Sequence, residues 1–169
     1  FGLSYTVPLL KNSMSSKTIT VDDFRGISIS PVISKVFEHC LLRRFIDFFV
    51  TSDNQFGFKK SVDGCTEAIY CARNIVHNYV NNGSTVNLCA LDISKVFDEM
   101  NHFGLFIKLM LKGLPSKVLS VLEYWFGTCF TCVKWMGFFS NYFRVTCGIR
   151  QGGVLSPHFS DVCIDSIIF

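Results

Sequence analysis

Half of this chain is hydrophobic, 49% of its residues, yet charges interrupt every long apolar stretch. Lys35, Arg43, Arg44, Asp47, Lys108 and Lys112 cut the longest of them. A helix needs about 18 nearly uncharged apolar residues to cross a bilayer, so no membrane partner is expected. So much apolar side chain must instead be buried within a packed fold. The 169 residues suit about one domain, and 17% charged residues exclude a disordered chain. Phe1 in place of an initiator methionine, and the apolar run from Cys163 to Phe169, lead us to expect a piece of a longer protein.

The formal net charge is +3, with basic residues spread along the chain, which allows a polyanionic partner. The eight cysteines, at 40, 65, 71, 89, 129, 132, 147 and 163, follow no disulfide framework. Reduced thiols in an intracellular compartment, nucleus or cytoplasm, are expected. Cys129 and Cys132 form a CxxC without a second pair; they read as small packing residues near a strand, or as a zinc or redox pair.

The order of elements predicts an α/β (α+β) class. Tyr5–Leu10 is β-prone, followed by a Ser-rich linker at 12–17. Ser30 as cap, Pro31 at the first helical position, and Val32, Val36, Phe37, Cys40, Leu41 and Phe45 at helical spacing predict a helix. A second is predicted from about Thr66 to Val80, with Ala68, Ala72, Ile75 and Tyr79 on one stripe and Asn82-Gly83 as its stop. Thr85–Leu91 reads as a buried strand ending on Asp92. Helices follow over Phe103–Leu111 and Ser116–Phe126, then a hairpin over Cys129–Trp135 and Tyr142–Cys147, then a last helix entered through Ser156-Pro157.

Four places carry chemistry. Asp92 emerges from a predicted strand into a turn, where it is either a turn former or a ligand-binding carboxylate. A phosphate-bound magnesium ion takes one or two carboxylates, and Asp98 is either the second or a structural residue. Gly148–Pro157 joins the hairpin to a helix, its glycines permitting close backbone approach while Arg150 and Gln151 offer donors. Arg25, among apolar residues, reads equally as a salt-bridge partner or a phosphate clamp. Asn54–Lys60 interleaves aromatics with base, which suits either nucleic-acid stacking or an anchored turn.

In this order the segments "DFRGISISPVISKVFEHCLLRRF" at 23–45, "QFGF" at 55–58, "LDISKVFDEMNH" at 91–102 and "GIRQGGVLSP" at 148–157 resemble the reverse transcriptase of non-LTR (LINE-type) retrotransposons. The resemblance implies a partial right-hand polymerase fold, with 1–84 as a fingers-like region and 85–169 as an incomplete palm. It implies an RNA-directed DNA polymerase adding deoxynucleotides to a primer 3′ hydroxyl, with Mg2+ as cofactor. The implied partners are an RNA template, a DNA primer, deoxynucleoside triphosphates, and the rest of a polyprotein: an endonuclease and the remaining palm and thumb.

Residue by residue, Asp92 matches the first metal-binding aspartate and the Ile93 carbonyl a backbone ligand. Phe97 matches the gate beneath the incoming sugar. Arg25 and Lys11 match the cations that face the triphosphate, and Gln151 the residue beside the nucleotide sugar. Gly152, Ser156 and Pro157 match the element supporting template and primer. Val96 departs from the usual Ala, 158–166 is poorly kept, and the paired aspartates of the next palm motif are absent, so the chain is expected to be inactive by itself. A group II intron enzyme or telomerase is a related alternative. A non-catalytic nucleic-acid-binding remnant or a domesticated interaction domain is an alternative of another class.

Overall fold

The computed structural model describes residues 2–11, 18–57, 64–93 and 95–167. The Ser-rich linker and the second half of the 54–60 segment lie outside them. Helices and a mixed sheet give the expected α/β class.

Strand β1 (Leu3–Leu10) is central, with β2 (Phe24–Ile29) antiparallel on one side and β3 (Phe130–Trp135) parallel on the other. Proline cannot donate to a ladder and belongs at an edge. Pro8 fits because β3 pairs only with Leu3–Thr6, so beyond that point β1 has a free edge. The expected hairpin forms, turned by Met136 and Gly137 at φ 46° and 89°. Its return strand is broken into β4 (Phe138–Phe139) and β5 (Phe143–Arg144), both against β3. Between them Ser140 exchanges two bonds of 2.9 Å with the Val133 backbone.

Helices α1 (Val32–Phe45), α3 (His102–Leu111), α4 (Ser116–Gly127) and α5 (Ser156–Ile164) enclose the core. Leu105, Leu109, Leu122, Leu155, Phe159 and Val162 are almost fully buried. The side chain of Asn101 caps α3 by accepting from Gly104 N–H at 3.1 Å. Gly113, at φ 81°, ends it: its own amide and that of Leu114 return to the carbonyls of Met110 and Leu109.

Three expectations are corrected. The first turn of α1 is closed by the Pro31 carbonyl, which accepts from Ser34 N–H at 3.0 Å, while Ser30 makes no cap. The buried face of α1 is also rotated. Val32, Val36 and Cys40 are exposed; Ser34 and Glu38 are buried, flanked by Phe37, Leu41, Leu42 and Phe45 against the core. Apolar spacing alone misplaced this face because its most buried members are polar. Finally, Thr85–Leu91 is not a strand. A strand exists only with ladder partners, and the sheet order β2-β1-β3-β4, with β5 on β3, leaves 85–93 outside it. The preceding helix α2 (Gly64–Asn81) forms as predicted and stops at Gly83, φ 76°, but it buries no residue, and Ile75 and Tyr79 of its apolar stripe are exposed.

Candidate nucleotide-binding cleft

The turn at 95–100 and the loop at 147–152 are stitched together by backbone. Ile149 N–H donates to Phe97 O at 2.6 Å and Gly148 N–H to Met100 O at 2.8 Å. A side chain at Gly148 would be strained and would clash: its φ is 76°, and a Cβ would lie 2.5 Å from Asp98 O. The same loop is tied to the sheet, because Ser28 N–H of β2 donates to Gln151 O at 2.7 Å. Gly152 permits that approach, since at φ 111° its Cβ would lie 2.9 Å from Ser28 O.

These ties enclose a cleft of about 440 Å3, and Lys11, Arg25, Phe97, Gln151 and Ile93 all line it. Five predicted site residues, spread over 140 positions between Lys11 and Gln151, therefore converge. Arg25 projects from β2 into the cleft and makes no ion pair among the described residues. Phe97 is half-buried, packed on the core beneath the cleft. Gln151 Nε2 donates to Asp98 Oδ1 at 3.0 Å, so Asp98 orients the glutamine.

Two contributors escaped the sequence reading. Phe24 lines the cleft and stacks edge-on against Trp135 at 5.6 Å; its place next to Arg25 was the available signal. Lys95 also lines it, held at φ 55° and ion-paired with Asp22 at 2.9 Å. The hydrogen bond and charge of Asp22 raise the Lys95 pKa, keeping it cationic. Asp22 also engages Lys11, whose Nζ donates to its carbonyl oxygen at 2.8 Å. Its cations give the cleft the character of an anion site.

Other predicted residues fall elsewhere. Asp92 is exposed and does not line the cleft, although its neighbour Ile93 does. Among the described residues no group of three or more His, Cys, Asp or Glu could hold a metal ion. The donors present therefore do not form a metal site by themselves. Arg150 turns inward, its guanidinium 5.4 Å from the Trp125 ring and 2.7 Å from Cys129 Sγ. Ser156 is buried, and its hydroxyl donates to Arg150 O at 2.6 Å; Pro157 sits in the first turn of α5. Cys129 and Cys132 are both buried, as packing residues would be. Gln55 is buried too, donating to Asp161 Oδ1 at 3.2 Å, and Asp165 accepts from Ser52 N–H at 2.7 Å, so both late aspartates have structural partners. No helix among the described residues is long and apolar enough to cross a membrane.

Comparison with known proteins adds an independent line. A family model described as reverse transcriptase (RNA-dependent DNA polymerase) matches residues 10–169. The chain is 30% identical over 145 residues to "Probable RNA-directed DNA polymerase from transposon X-element" of Drosophila melanogaster, covering 79% of this chain and 15% of the relative. It is 24% identical over 170 residues to "Retrovirus-related Pol polyprotein from type-2 retrotransposable element R2DM" of the same species, covering 99% and 16%. It is 28% identical over 147 residues to "RNA-directed DNA polymerase from mobile element jockey" of Drosophila funebris, covering 82% and 15%. The chain thus spans about 15% of the length of these curated relatives.

Proposed function

Because the chain belongs to the reverse transcriptase (RNA-dependent DNA polymerase) family, we propose that it is the fingers (1–84) and first palm segment (85–169) of a retrotransposon polymerase. Its cleft receives an incoming deoxynucleoside triphosphate. The observation that carries this reading is the convergence of Lys11, Arg25, Phe97 and Gln151 on one cleft. Lys11 and Arg25 face the phosphates, where paired cations offset the charge of a polyanion. Phe97 lies beneath the sugar and excludes a 2′ hydroxyl by size, and Gln151, fixed by Asp98, lies beside it. Gly152, Ser156 and Pro157 support the template and nascent pair from the start of α5.

In the whole polymerase the partners are an RNA template, a DNA primer and the remainder of the polyprotein, acting in the nucleus or cytoplasm. The metal, which we propose is Mg2+, stabilises charge on the reacting oxygens when bound. Asp92 and the Ile93 carbonyl are this chain's contribution to holding it, completed by carboxylates outside the chain. The exposed position of Asp92 supports a second reading, a remnant that binds nucleotide or nucleic acid without turnover.

A chimera completed with the missing palm segment of a relative tests the two. It is expected to extend a DNA primer on RNA with magnesium. Asp92→Asn is expected to abolish extension, since an amide carries no charge for the ion, and Phe97→Ala to admit ribonucleotides. Extension undiminished by Asp92→Asn contradicts the assignment; triphosphate binding without extension in the parental chimera favours the remnant.

A further inference from the structure

Behind the cleft, on the inner side of the loop that carries Gln151, is a second cavity of about 30 Å3 bordered by α1, α4 and the residues leading into α5. Its walls include three polar groups that the nucleotide cleft does not use: Glu38, Arg150 and Trp125. Glu38 is 2% exposed, and its Oε2 accepts from Leu155 N–H at 3.0 Å, just before the first turn of α5, where a carboxylate also favours the helix dipole. Trp125 is 8% exposed, yet its indole Nε1 has no protein acceptor; neither does Nη1 of Arg150, also buried. Leaving a buried donor unpaired costs about 1–3 kcal/mol. Both residues line the same cavity as Glu38, and a small acceptor bound there would satisfy them.

We infer that this cavity binds one ordered water, which accepts from Trp125 Nε1 and Arg150 Nη1 and donates to the Glu38 carboxylate, and that this clamp positions Gln151. The volume suits a single water, which needs at least about 10–15 Å3 and two to four polar partners. The groups present supply two donors and one acceptor, which fill three of the four hydrogen-bonding positions of a water molecule. Each part of the loop is then fixed from within. Arg150 O accepts from both Ser156 Oγ (2.6 Å) and Gly153 N–H (3.1 Å). A Cβ at Gly153 would meet Ser156 Oγ at 2.5 Å and Glu38 Oε2 at 3.2 Å, so a side chain there would displace the Ser156 hydroxyl from Arg150 O. Gln151 lies one residue from Arg150 on the opposite side, so any shift of the guanidinium is passed to the residue that faces the cleft. Glu38 thereby links the fingers helix α1 to the nucleotide site without touching it, as a positioning residue. Only the consequence for nucleotide handling rests on the proposed function; the water and the clamp do not.

The test is NMR of the 15N-labelled chain, reading water cross-relaxation at the Trp125 indole proton and the side-chain amide of Gln151. A long-lived water cross-peak is expected at Trp125. Glu38→Gln keeps an acceptor for Leu155 N–H but removes the charge, and Trp125→Phe keeps the ring but removes the donor. Both are expected to shift and broaden the Gln151 amide signals while the fold is retained. An indole proton that exchanges freely with bulk solvent, or Gln151 signals unchanged in both folded variants, overturns the inference. If neither variant folds, a crystal structure of the parent chain decides: a water bonded to Trp125 Nε1 and Arg150 Nη1 supports it, and a direct protein partner at either atom overturns it. No readout requires nucleotide, so failure of triphosphate binding would count against the cleft alone.

Discussion

The loop at 147–152 and the arm from α2 to Asp92 both carry residues that the sequence marks as functional, but they are held in opposite ways. The loop is bound to β2 and to the 95–100 turn, and Leu155 just beyond it to Glu38 of α1, by hydrogen bonds between residues distant in sequence. Helix α2 has internal hydrogen bonds and a clean stop, yet buries nothing, and the run from its end to Asp92 is exposed except for the half-buried Val86. Secondary structure can form from local pattern alone, whereas a site exists where several elements constrain the same few residues. The cationic half of the proposed polymerase site has that constraint; the carboxylate half lacks it within this chain.

The largest effect should come from breaking the stitch itself. Gly148→Ala must place a side chain at φ 76° and 2.5 Å from Asp98 O. Strain and clash together are expected to cost about 4 kcal/mol or more, read as a lost or strongly lowered denaturant midpoint. Next, Leu109→Ala in the core, at 0% exposure, is expected to cost about 3 kcal/mol, within the usual range of about 2–5. Ile75→Ala on α2, 55% exposed, is expected to stay within about 0.5 kcal/mol. Equal losses at the two sites would erase the contrast between the regions.

A smaller effect is expected at Asp165. Burial by itself raises its pKa, but the Ser52 N–H and the Lys112 ammonium outweigh this and leave it lowered. A carboxyl whose folded pKa is lowered contributes stability above its unfolded pKa and loses it as pH falls through the folded value. Asp165→Asn should therefore cost about 1–2 kcal/mol at neutral pH and flatten the loss of stability below about pH 4. Melting curves across that window check it.

Smallest is Asp22→Asn. Removing the exposed ion pair to Lys95 frees that cation for phosphate, and so exposed a pair contributes little to stability. Triphosphate affinity is expected to rise by up to about fivefold, measured by titration calorimetry. A fall would show that Asp22 supports the cleft rather than competing with the ligand.

The difference between the regions also explains what could be read in advance. The stop of α2 and the hairpin turn were legible because Gly83 and Gly137 act within a few residues of themselves. That Arg25, Phe97 and Gln151 lie near one another could be expected from the motifs that carry them, and the structure brings them, with Lys11, to one cleft. Hidden were the facts that depend on a neighbour. The face of α1 is set by Glu38 reaching Leu155, Arg150 is drawn inward by Trp125, and Asp98 is turned to Gln151. Thr85–Leu91 shows the converse, since its β-prone composition was evident but no strand pairs with it among the described residues.

The central claim is that the cationic cleft forms a triphosphate site without the Asp92 arm. Its most direct test is titration of the 15N-labelled chain with a deoxynucleoside triphosphate and magnesium. The predicted result is saturable shifts at Lys11, Arg25, Phe97 and Gln151, none along α2, with binding lost in Arg25→Gln and retained in Asp92→Asn. Binding that survives Arg25→Gln, or shifts that appear on α2 and leave Gln151 unmoved, would contradict it.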